Sequence, residues 1–405
     1  MKYKNLNSII KKFIIVVFLY GLTSSSFNGF FGIYIKELGY AEGFVGSILS
    51  LRRLSVAICT FLIAIIAEKI GHKKTLMLGL FVVGLSSIGI VLVNNIFLIQ
   101  VFAIIFGFGQ SAMMTIESPF IYDQTTEIER VHAFSLTFAT RNAAFVTGSL
   151  LTGVIADYFS KIFGPGAIPI RYALILVSSM SLLAIFPLAM LKPKKVEKHK
   201  RLNFDEIKGF FTKTNISFLT YTGFIGLGAG LVVPFFGVYL KYMLNTTESI
   251  VGLILSFAQL GTVIGGLSVP YLNKKMSKYR IIVLTQLLSI PLLIAIGFPQ
   301  GIVIVAIAFF LRSSLMNMSQ PLIRNISMDI SEDQHRPFMS AMRAMINNLM
   351  RALGIFLGGV IMENYTYNTP YIFTILFYII GTYIFYKIFR DEIVKKNKKT
   401  PKKLI

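Results

Sequence analysis

The sequence predicts an all-α polytopic membrane protein: 12 transmembrane helices arranged as two six-helix bundles related by an internal repeat. Three observations predict it. Hydrophobic residues make up 55% of the 405-residue chain and charged ones only 14%, whereas a soluble domain carries about 25% charge. Apolar runs of about 20 residues, the length that crosses a bilayer as helix, recur along the whole chain. Short segments then repeat at a nearly constant offset. This composition excludes soluble, disordered and collagen-like classes. A lone cysteine, Cys59, excludes an internal disulfide, and four histidines leave no basis for a metal site.

The first apolar run, 13–35, is too long for a signal-peptide core and has no small-residue cleavage site after it, so it reads as a retained anchor. It holds the polar cluster Thr23, Ser24, Ser25, Ser26 and Asn28 among Gly21, Gly29 and Gly32. Runs 43–67, 75–93, 96–121, 132–156 and 171–191 complete the first six. In the second, Gly46, Ser50, Arg53, Ala57 and Ala64 share a small-residue face, while Arg52 falls on the greasier side. In the fourth, Pro119 predicts a helix break beside Glu117. The second six are 215–240, 249–272, 281–298, 301–323, 338–361 and 370–389. The first of these carries Gly223, Gly226, Gly228, Gly230 and Pro234, a composition suited either to bending or to close packing. Tyr34, Tyr221 and Tyr239 read as membrane-interface belt residues or as gate and solute contacts. Alternating short segments of the β-barrel kind are absent.

The net charge of +22 is unevenly placed. An even number of spans puts both termini on one side. That side holds 30 of the 40 Lys and Arg residues, counting Lys387 at the exit of the last span, and the other side holds 4. The positive-inside rule puts both termini in the cytoplasm of a plasma-membrane protein. The tail lysines, Lys395 to Lys403, read as an orientation and anionic-lipid feature, not a nucleic-acid site.

Val45-Gly46-Ser47-Ile48-Leu49-Ser50 recurs as Val251-Gly252-Leu253-Ile254-Leu255-Ser256, an offset of 206. Gly148, Gly153, Val154, Ile155 and Asp157 recur at the same offset as Gly354, Gly359, Val360, Ile361 and Glu363. Phe30 to Lys36 recurs as Phe235 to Lys241. Three ordered matches divide the chain into an N-terminal half (1–191), a basic cytoplasmic linker (192–214), a C-terminal half (215–390) and a basic tail (391–405). Parallel halves of this kind hold a solute near the midplane and rock to expose it on alternate sides.

In these features the sequence resembles the major facilitator superfamily over residues 13–390. The loop after the second span adds to the resemblance. It reads Ala64-x-x-x-Glu68-Lys69-x-Gly71-His72-Lys73-Lys74 where the family has Gly-x-x-x-Asp-Arg-x-Gly-Arg-Lys/Arg-Lys/Arg. The resemblance implies a cytoplasmic gate with Glu68 as acidic latch, Lys69 and Lys73 as its partners, Gly71 between them and Asp123 as counter-charge. A positive-inside loop without gating is the plainer alternative. The Pro of the family's antiporter-type motif in the fifth span is missing, and Ala103 stands where the Arg of the fourth would be.

The six bases within the spans are all Arg: Arg52, Arg53, Arg141, Arg312, Arg343 and Arg351. Each costs about 2.5–3.5 kcal/mol at a helix centre by insertion scales, so most must face the bundle or a wet cavity. Arg also offers a permanently charged fork for carboxylate and phosphate. Repeat alignment sets Gln259 opposite Arg53, Asn347 opposite Arg141, and Gln110 opposite Arg312. The expected solute contacts are therefore Arg53, Arg141, Arg312, Arg351, Gln259, Asn347 and Gln110. Structural roles for the arginines are the alternative. Glu117, the one acid clearly inside a span, is the candidate proton carrier or the ion-pair partner of an Arg.

The resulting expectation is a monomeric, proton-coupled secondary transporter in contact with membrane lipid. It uses no cofactor and exports organic, anionic or zwitterionic compounds. No P-loop is present for ATP drive and no catalytic constellation for an enzyme. A multidrug antiporter and a transport-inactive sensor are the alternatives.

Overall fold

The computed structural model describes residues 8–192, 209–332 and 335–394. Most of the expected linker (193–208) and most of the basic tail (395–405) lie outside the described residues.

Among the described residues, twelve helices are long and apolar enough to cross a membrane. They are α1 (Ser8–Glu37), α2 (Glu42–Ile70), α3 (His72–Leu92), α4 (Ile96–Gln124), α5 (Glu127–Phe163), α6 (Ala167–Ala189), α7 (Lys213–Tyr242), α8 (Glu248–Lys275), α9 (Lys278–Gly297), α10 (Ile302–Asp329), α11 (Arg336–Asn364) and α12 (Thr369–Ile388). Each contains or overlaps one expected run. Large apolar side chains such as Phe61, Phe97, Phe186 and Leu267 stay exposed, as suits helices solvated by lipid.

Helix starts follow local chemistry. Asn95 accepts the Leu98 N–H at 3.2 Å, Thr212 accepts that of Asn215 at 3.2 Å, and Ser277 accepts that of Arg280 at 3.3 Å. Thr126 and Glu129 form a capping box at α5. Gly71 joins α2 to α3 at φ 85°, a backbone region that side-chain-bearing residues rarely adopt.

Two expectations about breaks separate here. α4 runs unbroken through Pro119 to Gln124, correcting the expected break, because flanking turns and neighbouring helices hold it. α7 does break: a 3₁₀ turn at Val233–Phe235, built on Pro234, divides it.

The duplication is visible as paired contacts. Tyr34 donates to the Val91 carbonyl at 2.8 Å, and Tyr239 donates to the Ile296 carbonyl. Tyr221 accepts from Gln286 at 2.5 Å. These buried tyrosines therefore tether helices within each half. In this state their hydroxyls are taken up by partners within the same half.

The halves meet through α2 on α11, α5 on α8 and α1 on α7. Ser50 donates to the Ala352 carbonyl at 2.8 Å, and its repeat counterpart Ser256 donates to the Val146 carbonyl at 2.7 Å. A Cβ on Gly46 would lie 2.9 Å from the Gly359 Cα, so the α2–α11 crossing needs glycine on both sides.

The membrane side away from the termini is closed across the halves. The Gly43 N–H donates to Glu363 at 2.9 Å, and the Ser249 N–H donates to Asp157 at 3.1 Å. Tyr242 donates to Glu37 at 2.8 Å, Lys241 reaches Glu37 at 3.2 Å, and Tyr367 donates to Glu42. Burial and the Glu42 carboxylate push the Tyr367 phenol up. On the side bearing the termini, the polar contacts seen among the described residues stay within one half. His72 lies 2.8 Å from Asp123, Lys73 donates to the carbonyls of Ala189 and Leu191 at 2.6 Å, and Lys278 pairs with Asp329. α4 and α10 make no extended contact among the described residues. The arrangement is shut at one end and open toward the termini.

Candidate functional site

The gap between the halves collects arginine. Arg53 of α2 is repelled by Arg351 of α11 and by its neighbour Arg52. The Arg53 Nε is buried without a hydrogen-bond partner, and Arg351 has none among the described residues. Arg141 of α5 is repelled by Arg324 of α10, and Arg324 also repels Arg343 of α11. Arg53 thus lies near Arg351, and Arg141 near Arg324, so that like charges on the two halves come close together.

A single carboxylate answers them. Glu117 of α4 is ion-paired with Arg141. The Arg141 side chain is 45% exposed and that of Glu117 is 11%. The guanidinium therefore stands out into the opening with the carboxylate behind it. Glu117 is thus the ion-pair partner of an Arg in this state.

Arg52 donates to Asn28 at 2.6 Å and lies over the Phe106 ring, 5.3 Å from its centroid. It thus turns into the bundle beside Tyr20 of α1, on the apolar face it shares with Val45, Leu49, Val56 and Ile63, all of them buried. Of the polar cluster in α1, Asn28 serves this arginine. Thr23 and Ser25 pin α1 to α6 and α5 through the carbonyls of Ser178 and Phe145.

The other expected contacts are placed differently. Arg312 is 4% exposed, donates to the Tyr378 hydroxyl at 3.3 Å and lies over Phe236. It sits behind Arg351 in an aromatic box, with its Nε unpartnered. Gln110 is buried beside Tyr20. Gln259 donates to Asn142 at 2.5 Å, which joins α8 to α5. Asn347 packs its backbone and amide against Gly226 of α7. Arg53, Arg141 and Arg351 are therefore the expected residues that the fold brings together around the gap; Gln110, Gln259 and Asn347 are occupied in helix packing.

Two arginines were absent from the expected set. Arg324 was assigned to a loop because hydropathy falls off after Ile323, yet α10 continues to Asp329 and carries Arg324 toward Arg141. Arg343 lies near Tyr221 and Arg324, with its Nε buried.

The residues assigned by resemblance to the gate do not meet in this state. Glu68 and Lys69 are exposed, and Glu68 makes no ion pair among the described residues. Lys73 caps the end of α6, and Asp123 faces His72. A latch that joins the halves on the terminal side has no partner to reach while that side is open.

The comparisons with known proteins agree with this architecture. The family described as Major Facilitator Superfamily matches residues 13–225 and again 218–404. Among solved structures, a mutant of the nucleoside transporter NupG superposes with a TM-score of 0.82 at 14% identity, covering 94% of this chain and 100% of its own. A bacterial homologue of the human lysosomal transporter Spinster, inward-facing and unoccupied, superposes at 0.76 with 13% identity, over 95% and 97% of the two chains. A D-xylose–proton symporter does so at 0.74 with 13% identity, over 94% and 98%. No curated protein sequence matches the chain.

Proposed function

This chain belongs to the major facilitator superfamily, and from that premise we propose that it is a secondary transporter whose solute is a small organic anion or zwitterion. The observation that carries the reading is the charge inventory of the gap. Arg53 and Arg351 stand between the halves without a carboxylate partner, and the one membrane-embedded acid, Glu117, is already neutralised by Arg141. Unpaired buried guanidinium is costly, and a carboxylate or phosphate supplies the missing acceptor. The same inventory disfavours a multidrug antiporter for cations, which needs a free acid in the cavity.

The positive-inside bias puts the open, termini-bearing side in the cytoplasm of a plasma-membrane protein. Both halves that flank the gap belong to one chain, which supports reading the carrier as a monomer. Glu68, Lys69, Gly71, Lys73 and Asp123 would form the cytoplasmic latch in the alternate state. The Glu117–Arg141 pair supports a second element, proton coupling: protonating Glu117 releases Arg141, and solute arrival does the reverse.

The test is uptake and efflux of labelled phosphate, succinate, glutamate, xylose and a quaternary ammonium dye in vesicles holding purified protein. Anions should move and lose at least tenfold in rate in Arg53→Ala and Arg351→Ala at equal membrane insertion. Preference for the dye, or unchanged flux in both variants, removes the anion reading. Binding without flux of any solute by a folded protein would favour a sensor.

A further inference from the structure

We propose that a membrane phospholipid binds in a lateral cleft across the seam of the two halves, with one acyl chain in the cleft and its phosphate at Lys161, and that it holds the shut side together.

A cleft of about 430 Å³ runs between α5, α8 and α10. Val146 and Leu150 of α5 form one wall, Val303 and Ile307 of α10 the other, and Leu253 and Phe257 of α8 lie between them. The hydroxyl of Ser256, also in the lining, is taken up by the Val146 carbonyl at 2.7 Å, so no side-chain polar group there is left free. Leu253, Phe257, Val303 and Ile307 are exposed, and they fall in the first three turns of α8 and α10, which begin on the shut side. The cleft therefore faces the leaflet on that side. Its size and lining are those of a ligand pocket. Apolar walls need apolar atoms packed against them, which water does not supply and a flexible, unbranched chain does.

Four bases belong to the shut side, and three are engaged. Lys36 pairs with Glu42, Lys241 pairs with Glu37 and Glu248, and Arg171 donates to the Tyr34 hydroxyl and to Asn94, both at 3.2 Å. Lys161 is exposed and has no partner among the described residues. Asp157, one turn before it, accepts the Ser249 N–H of α8 at 3.1 Å. Lys161 lies three helical turns beyond Leu150, which places it on the cleft's side of α5, about 16 Å toward the surface. Its apolar stem can bend back along the helix while the ammonium stays at the headgroup level. Gly301, which caps α10 beside Val303, provides no side-chain acceptor, so the leading N–H groups of that helix add donors at the same mouth.

The walls come from opposite halves, α5 from the first and α10 from the second. A chain between them touches both only while α5 and α8 stay crossed on the shut side. Parting them there divides the cleft. The lipid therefore binds the shut arrangement better and shifts the equilibrium toward it.

The test uses purified protein in maltoside micelles with a trace of phosphatidylglycerol carrying a diazirine in its acyl chain. Photolabelled peptides should map to the shut-side turns of α5, α8 and α10, at least fivefold above the exposed faces of α3, α4 and α6. Unlabelled phosphatidylglycerol should displace the label at least fivefold better than diacylglycerol, which lacks the phosphate. Lys161→Gln, at an exposed position, should erase that preference. Leu253→Trp and Ala306→Phe fill the cleft from an exposed and a half-buried position, and each should lower labelling at least fivefold. A cysteine at Val238, buried beside Gly32, in a Cys59→Ser background should react at least threefold more slowly with a thiol reagent once phosphatidylglycerol is added. Leu253→Trp should abolish that protection. Labelling spread evenly over all exposed helices, annular lipid only, overturns the site. A phospholipid preference that survives Lys161→Gln overturns the phosphate assignment, and unchanged Val238→Cys reactivity overturns the hold on the shut side.

Discussion

Arg141 of α5 is ion-paired with Glu117 of α4, with its guanidinium facing the opening between the halves and the carboxylate at its back. Glu117→Gln leaves this arginine unneutralised, and the gap gains one net positive charge. Anion binding should therefore tighten by roughly fivefold, about 1 kcal/mol, the upper end expected of a partly exposed ion pair. Any acceleration of flux by an imposed pH gradient should disappear. Titrating succinate or phosphate by thermal shift, alongside flux with and without the gradient, checks both. Unchanged affinity together with unchanged pH drive would leave the pair as a tether of α4 on α5.

Arg53 and Arg351 oppose each other without an acid between them, so stability and binding should respond with opposite signs. Arg53→Gln or Arg351→Gln removes a like-charge repulsion and should raise the melting temperature of the empty protein. The same variants should weaken anion binding by about tenfold, the loss of one charge-assisted hydrogen bond of roughly 1.5–3 kcal/mol. Lower melting temperatures in both variants would mean that each arginine has a structural partner.

The fold was legible because lipid imposes one requirement on all twelve helices, which hydropathy reads directly. The repeat was legible because the halves use the same residues twice: Ser50 and Ser256 cross to Ala352 and Val146, which are themselves related by the repeat. The site was only partly legible. Hydropathy ends a span where charge begins, so Arg324 falls just outside the 301–323 run although the helix continues six residues past that run, to Asp329. A single-face wheel groups Arg52 with the apolar Val45, Leu49, Val56 and Ile63, but it cannot see that this face is buried or that Asn28 and Phe106 of other helices receive the guanidinium. Whether Gln259 faces a solute or Asn142 depends on which helix lies opposite, and only tertiary packing fixes that.

Gly237 of α7 lies so close to α1 that a Cβ there would overlap the carbonyl oxygen of Gly29. That backbone contact joins the halves near the shut end. Gly237→Ala should therefore spare membrane insertion, since its helix remains apolar, while destabilising this closed arrangement. Flux should fall by at least tenfold. A cysteine at Val238, buried beside Gly32 in this state, should become reactive to a membrane-impermeant thiol reagent in a Cys59→Ser background. Normal flux in Gly237→Ala would show that α1 and α7 part without consequence for the cycle.

Glu363 and Asp157 close the shut side by one repeated device: each accepts a backbone N–H from the first turn of a helix in the opposite half, Gly43 of α2 and Ser249 of α8. A carboxylate at a helix N-terminus contributes about 0.3–1 kcal/mol. These contacts exist only while that side is shut, so their strength biases the equilibrium between the two access states. Glu363→Gln keeps the hydrogen-bond acceptor and loses the charge, and should raise the reactivity of Val238→Cys up to about fivefold. Asp157→Asn should do less. Asp157 is held by side-chain hydrogen bonds from Ser249, Glu248 and Thr247 as well as by the Ser249 N–H, so an amide in its place keeps more of the local contact when the charge is lost. The two variants therefore separate a charge–dipole clasp from simple loss of packing. A clasp gives a larger shift for Glu363→Gln that high salt diminishes, whereas equal, salt-independent shifts in both variants would assign the effect to packing alone.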